Sequence, residues 1–317
     1  MPVNADKPQR WKADIARSID AFNAWFLKLA PRVFRDARRD TARQVMTGMS
    51  ATDNLRSLSP AVLKENPGVL SLLRMATCPP LARDRLAGLA HVRKSLIHTM
   101  EEKNRIPPRV EAEELCRELA RICDIIGRLL DRDLFTWLDE RRGPARRAVE
   151  RATTVVADRL CGCLADPILR NAQEKRQLAR IGDYLDARGY RRQTPRPEKT
   201  LCQMPAGTYC FRMNLRVVRE GAEIKIPIDA VIQPHSNGGN LPILVEAKSA
   251  GDFTNTNKRR KEEAAKIHQL RARLGDEIRF VLFLCGYFDS GYLGYEAAEG
   301  IDWVWEHRIE DFLEFGV

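Results

Sequence analysis

Two periodicities divide this sequence. Up to about residue 143, apolar side chains recur every three or four positions, the spacing of helices that bury one face. From residue 209 onward they alternate within short runs rich in β-branched residues, the spacing of strands. Within residues 10–47, Ile15, Ile19, Phe22, Phe26 and Leu29 predict an amphipathic helix that Pro31 should end, because proline lacks the amide a helix needs. Helical tracts over about 51–77 and 81–103 should stop at Cys78-Pro79-Pro80 and before Pro107-Pro108. Leu115, Leu119, Ile122, Ile126 and Leu129 mark a long fourth helix, with Gly143-Pro144 closing the region. Asp166-Pro167 reads as an N-cap followed by proline at the first helical position, so a new helix is expected from there to Gly189 with Leu178, Ile181 and Leu185 facing inward.

Tyr209 to Val218 is the first expected strand, with Gly221 in the turn that follows. In the next strand Ile224, Ile226 and Ile228 share one face and Asp229 takes the other; in the one after, Leu241, Ile243, Val245 and Ala247 oppose Glu246 and Lys248. The intervening HSNGGN has the Asn-Gly chemistry that reverses a chain, so the two strands are expected to be antiparallel neighbours with Asp229 and Glu246 side by side. A helix over about Asn257 to Arg273, a buried strand FVLFLC at Phe280 to Cys285, a last strand at Asp302 to Trp305 and a short helix complete the reading. The order α-β-β-β-α-β is that of a mixed sheet flanked by helices, an α/β arrangement. A largely helical N-terminal domain is expected over residues 1–165 and a catalytic domain over 166–317.

The chemistry follows from crowding. Two neighbouring carboxylates repel, and each is harder to ionise unless a cation lies between them. Oxygen ligands at this density suit a hard divalent ion, Mg²⁺ above others, which keeps several waters and completes its shell with phosphate oxygens. Lys248, two residues beyond Glu246 on the same face, would aim an ammonium at the same point, where it could stabilise an attacked phosphate or orient the water. An isolated Glu-x-Lys occurs by chance in most proteins. Here the apolar strands, the hairpin and the basic helix that follows set this one apart.

Charge sharpens the picture. The formal net charge is +10, yet residues 274–317 hold ten acids and two bases, a net of −8, which leaves +18 on residues 1–273. A polyanionic partner should meet the earlier part of the chain. The helix at 257–273 carries seven bases against two acids, too one-sided for salt-bridge lacing. The eight cysteines show no CxxC spacing and are expected to be mostly buried thiols; the five scattered histidines form no zinc motif. No signal-peptide core and no membrane-length apolar run is present, so a cytoplasmic protein is expected.

Asp229, a spacer and then Glu246-Ala247-Lys248 on a hairpin resemble the PD-(D/E)xK nuclease superfamily, with the usual proline displaced by one position to Pro227. More narrowly, IPIDAVIQP together with LVEAKSAGDFTNTNKRRKEEA resembles the XamI-type restriction endonucleases. The resemblance implies a type II restriction endonuclease, a Mg²⁺-dependent hydrolase of double-stranded DNA at GTCGAC that leaves 5′-phosphate ends. It implies a homodimer, and a cognate DNA methyltransferase as a genetic companion. Asp229, Glu246 and the Ala247 carbonyl would hold the metal, Lys248 would tend the water and phosphate, and Glu174, on the inward stripe of the preceding helix, would be a fourth catalytic residue. The alternative for Glu174 is an ion pair with Arg170 on the helix surface. The loop at 251–257 leaves the strand beyond the metal site, so Thr254, Asn255, Asn257, Lys258, Arg259 and Arg260 are expected to meet DNA, although Thr256 or Asn257 taken singly fits an N-cap better. A structure-specific repair or recombination nuclease on the same core, or a DNA-binding module with a dead core, remain alternatives, the latter disfavoured by the intact Asp229, Glu246 and Lys248.

Overall fold

A computed structural model describes residues 2–195, 204–219, 222–236, 241–254 and 256–317. The chain forms two compact units, one of residues 30–169 and one combining residues 1–29 with 170–317. Helix α1 (Pro8–Ala51) runs without interruption through Pro31, and helix α7 (Arg146–Asp186) runs through Pro167. Both prolines were expected to mark helix ends, and neither does. Interior proline forfeits one hydrogen bond and costs roughly 3 kcal/mol. Helices of 44 and 41 residues nevertheless continue through both positions. Close to these prolines the side chains of Phe34, Ala37, Cys161 and Ala165 pack together within the helical unit.

The helical unit also contains α2 (Pro60–Glu65), α3 (Val69–Met75), α4 (Arg83–Ala90), α5 (Lys94–Lys103), α6 (Ala112–Leu129) and a 3-10 turn at Thr136–Asp139. Two tracts expected as single helices are each divided. Ser59 caps α2 through the Val62 amide, and His91 adopts the left-handed conformation (φ 49°) that ends α4. The stripe on α6 is buried as its spacing requires, with Leu115, Leu119, Ile122 and Ile126 in the core. Each such side chain contributes roughly 1.5–3 kcal/mol by leaving water.

The other unit is built on a six-stranded mixed sheet in the order β1 (Arg191–Arg192), β2 (Thr208–Arg219), β3 (Ala222–Gln233), β4 (Ile243–Ala250), β5 (Arg279–Gly286), β6 (Asp302–Trp305). The hairpin β2–β3 and the pair β3–β4 are antiparallel, while β4, β5 and β6 are mutually parallel. Parallel neighbours need crossovers, supplied by α8 (Thr256–Leu274) and by α9 (Ser290–Ala298), a helix the sequence reading did not anticipate. One face of the sheet packs on α8 and α9 through Ile267, Leu270, Tyr292 and Leu293; the other packs on the last turns of α7 through Leu178, Ile181 and Leu185. Covered on both faces, β5 is buried from Phe280 to Gly286, which explains its unbroken apolar run. Gly286 has φ +105°, and a Cβ there would lie 2.1 Å from the Ala250 carbonyl oxygen, so only glycine lets β5 end beside β4.

The first 29 residues belong to this sheet unit, not to the helices that follow. The amides of Asn4 and Ala5 donate to the Asp302 carboxylate, Trp11 meets Trp303 edge-on, Asp14 takes the Arg308 guanidinium, and Ser18 Oγ accepts the Gly286 amide. Of the seven described cysteines, Cys161, Cys210 and Cys285 are buried, whereas Cys78, Cys116 and Cys163 are exposed, so the thiols are not mostly buried. Among the described residues no helix is long and apolar enough to cross a membrane.

Candidate active site

The β3–β4 ladder pairs Ile232 with Ile243, Val231 with Leu244 and Ala230 with Val245, and there it stops. The next pair in register would be Asp229 with Glu246. Asp229 Oδ2 instead accepts the amide of Ala247 at 2.9 Å, taking the place of a ladder carbonyl where the two strands part. The expected antiparallel pairing is thus present; of the HSNGGN turn, residues 237–240 lie outside the described residues.

Simple alternation would not bring these carboxylates together. Glu246 and Lys248 alternate with Val245 and Ala247 and share the parity of Leu244 and Ala250, on the α8 side. Ile226 and Ile228 are also on that side, so strict period two would send Asp229 to the opposite face. The alternation slips at this point. Val231 joins Ile226 and Ile228, while Ala230 and Ile232 join the other core; on β2, Cys210 and Met213 likewise share one side. Arg212, which falls opposite Asp229 between the registered pairs Phe211–Ala230 and Met213–Ile228, has φ +56°. This left-handed residue in a strand costs about 1–2 kcal/mol. The slip turns Asp229 towards Glu246.

Lys248 Nζ lies 3.0 Å from Glu246 Oε1, and Lys266 Nζ from α8 lies 2.5 Å from Glu246 Oε2. Burial, then the Glu246 charge, push the Asp229 carboxyl up to about 6, against the pull of the Ala247 amide and both lysines. For Lys248, burial works to lower the pKa, but Glu246 and Glu263 outweigh it and the ammonium is held above its ordinary range. The arrangement has a carboxylate that ionises less readily than usual, an ionised lysine and a second carboxylate within one partly buried patch.

The remaining expected residues fall into place unevenly. Glu174 is half exposed and takes Arg212 Nη2 at 2.8 Å; neither the Arg170 pair nor a bond to Asp229 forms. Gln173 and Gln177 of the same helix reach β4, at Ser249 and at the Lys248 carbonyl. Thr254 is exposed, its amide tied to Asp252 Oδ1 in a local turn. Asn255 and the side chains of Asn257, Lys258 and Arg259 lie outside the described residues. Arg260 stacks its guanidinium over Tyr295 at 4.9 Å, turned towards α9. Four site residues were not foreseen: Lys266, Glu263, Tyr292 and Glu296. Glu263 was detectable, since it shares the spacing of Ile267 and Leu270, a buried stripe that a charged residue interrupts.

The donor set fits a hard divalent ion. Asp229 and Glu246 supply oxygen ligands only, and a cation between them would relieve both the burial and the Glu246 charge that raise the Asp229 pKa. Among the described residues no third His, Cys, Asp or Glu completes a cluster, so waters and substrate oxygens would fill the other positions, as Mg²⁺ prefers.

Comparison with known proteins gives two matches. The sequence profile of the XamI restriction endonuclease family matches residues 53–305. The chain is 55% identical over 315 residues to the type II restriction enzyme SalI of Streptomyces albus G, covering 99% of each protein. No solved structure matches.

Proposed function

Because the chain belongs to the XamI restriction endonuclease family and is a type II site-specific deoxyribonuclease, we propose that Asp229, Glu246 and Lys248 form its hydrolytic centre, of the PD-(D/E)xK kind. The observation that supports this is the meeting of all three side chains where β3 and β4 separate. The substrate is double-stranded DNA, and the target we assign is the palindrome GTCGAC that the family resemblance implies. The cofactor is Mg²⁺, held by Asp229, Glu246 and the Ala247 carbonyl. When bound it supplies Lewis acidity and eases deprotonation of the attacking water.

The residues of the chain do the rest. Lys248, kept ionised by its carboxylate neighbours, stabilises negative charge growing on the phosphate oxygens. Asp229 serves as an anion only above about pH 6. Water oxygen bonds to phosphorus in line as the bond to the 3′ oxygen breaks; that oxygen takes up a proton, giving a 3′-hydroxyl and a 5′-phosphate. The loop and first turn of α8, through Thr254, Asn255, Asn257, Lys258 and Arg259, follow the DNA backbone, and Arg260 anchors that turn on Tyr295. A palindrome presents one surface twice, so a homodimer with one centre per strand matches it. Such an enzyme works in the cytoplasm beside a methyltransferase that protects the same sequence.

Digestion of a plasmid of known sequence, with and without Mg²⁺, followed by run-off sequencing of the ends, tests the reading. Discrete fragments cut at GTCGAC only with Mg²⁺ are expected. Diffuse nicking would favour a repair nuclease, and no cleavage at all would favour a dead core. Sedimentation with a GTCGAC duplex should show two 36.1 kDa subunits per duplex.

A further inference from the structure

The polar patch around Lys248 contains a carboxylate to which the chemistry above gives no task. Glu263 projects from the buried face of α8 with only 1% of its surface exposed. Its Oε2 accepts a 2.5 Å hydrogen bond from the Tyr292 hydroxyl of α9, and its Oε1 lies 3.6 Å from Lys248 Nζ. Glu296, fully buried on α9, stands against Glu263; burial first, then the Glu263 charge, push its carboxyl up to about 9.

Carrying carboxylates into an interior is costly unless partners compensate. An apolar pair between α8 and α9 would pack at no such cost, so the two glutamates point to a role beyond packing. With Oε2 fixed by Tyr292, Glu263 directs its other oxygen at Lys248. Glu246, the other anion beside Lys248, already has its Oε2 engaged by Lys266. The Lys248 ammonium is therefore drawn by two carboxylates, one on its own strand and one on α8.

We propose that Glu263 is a positioning residue, fixed by Tyr292, that draws the Lys248 ammonium towards α8 while it stays in contact with Glu246, and so sets where it meets the phosphate. The proposal rests on Lys248 belonging to the hydrolytic centre. It differs from a purely structural role in what it predicts for E263Q. Glutamine keeps the shape and can still accept from Tyr292, but it loses the charge that draws Lys248.

The test measures cleavage of a GTCGAC duplex by the full-length protein in Mg²⁺, with kcat and KM separated and thermal unfolding recorded for each variant. E263Q should lower kcat about tenfold or more, within the range found when a residue supporting a catalytic group is removed, with KM and melting temperature nearly unchanged. Y292F should lower kcat less. The double variant E263Q/Y292F should be no slower than E263Q, because both act through one contact. If K248A cleaves like wild type, the assignment of Lys248 fails and the positioning role with it. If K248A is impaired while E263Q keeps wild-type kcat, or if the E263Q and Y292F effects multiply, positioning is overturned and the site assignment stands. Should E263Q fail to fold, Y292F decides: wild-type kcat overturns the proposal, and a lowered kcat at unchanged KM supports it.

Discussion

Buried carboxylates occur in both units, and those around Lys248 are treated differently from the rest, which arginine closes off, as Arg308 does Asp14 and Arg176 does Glu306 in the sheet unit. In the helical unit each one is closed off by arginine. Glu101, with a side chain 1% exposed, receives Arg74 at 2.5 Å and Arg83 at 2.7 Å. Glu118 receives Arg93 at 2.7 Å, and although burial works against it, the hydrogen bonds and charge of Arg93 bring its pKa below the ordinary value. Asp131 receives Arg159 at 3.1 Å. In the sheet unit Asp229, Glu246, Glu263 and Glu296 share Lys248 and Lys266, and the pKa values of Asp229, Glu263 and Glu296 are all raised, burial being the first cause of each. Arginine's fork satisfies a carboxylate completely, and such a group has nothing left to offer a ligand. A patch with more carboxylates than cations keeps a repulsion in reserve for an incoming cation or proton, which is the state a catalytic site needs.

The largest effects are expected at Asp229 and Glu246, the carboxylates proposed to hold the metal. Asp229→Ala and Glu246→Ala should each reduce cleavage by about a thousandfold or more; Asp229→Ala should do so without loss of thermal stability, because a repelling charge is removed, whereas Glu246→Ala also strands Lys248 and Lys266 and should lower the melting temperature. Residual cleavage within about tenfold of wild type would place the centre elsewhere. Glu101→Ala should do the reverse: it strands Arg74 and Arg83 and should cost about 3–5 kcal/mol in denaturant unfolding, with kcat preserved in the folded fraction. Lys248→Ala should slow cleavage about a hundredfold, equivalent to about 2.7 kcal/mol, and Glu174→Ala should be much milder because its carboxylate is engaged by Arg212. Equal, negligible effects from these two variants would remove Lys248 from the mechanism.

Acidity should separate the units more gently. The Asp229 carboxyl lies near 6 in the folded protein against an ordinary 3.8, so the fold binds its proton more tightly than the unfolded chain does. The stability this gives is complete below the unfolded value and is lost as pH rises through the folded one. Metal-free protein should therefore lose stability from Asp229 between about pH 4 and 6, Asp229→Asn should flatten that part of the melting-temperature profile, and added Mg²⁺ should stabilise most above pH 6. A wild-type profile unchanged by Asp229→Asn would show that its carboxyl is not strained. The smallest effect concerns Arg212→Gly, which relieves a left-handed backbone at the loss of an exposed ion pair with Glu174; a gain of up to about 1 kcal/mol in thermal unfolding is expected.

Local patterns specified much of this molecule. The three-four spacing of Leu115, Leu119, Ile122 and Ile126 is the buried stripe of α6, and the apolar run from Phe280 to Cys285 is a strand covered on both faces. Glu246 and Lys248 share a face because β4 is regular, a matter of period two and nothing more. Asp229 is different. The same rule, applied to β3, assigns it to the wrong side, and only the slip at Arg212 brings it to its partner. That slip needs a backbone conformation arginine disfavours, so local preference argues against it, and it persists because burial of the strands on either side fixes both registers.

What the sequence determined alone is whatever a residue's nearest neighbours in the chain can decide: helix faces, strand faces, the Glu-x-Lys pair and the uneven distribution of charge. Tertiary structure decided whatever depends on distant partners. Pro31 and Pro167 remain inside helices despite the local penalty, with Phe34, Ala37, Cys161 and Ala165 packed together near them. Residues 1–29 join the sheet unit because Asp302, Trp303 and Arg308, nearly the whole chain away, provide their hydrogen bonds and contacts. Glu263 and Glu296 become part of the site because α8 and α9 cross on the same face of the sheet. No pattern within either helix records that meeting, since burying a carboxylate is favourable only when the charges that receive it are contributed by other elements.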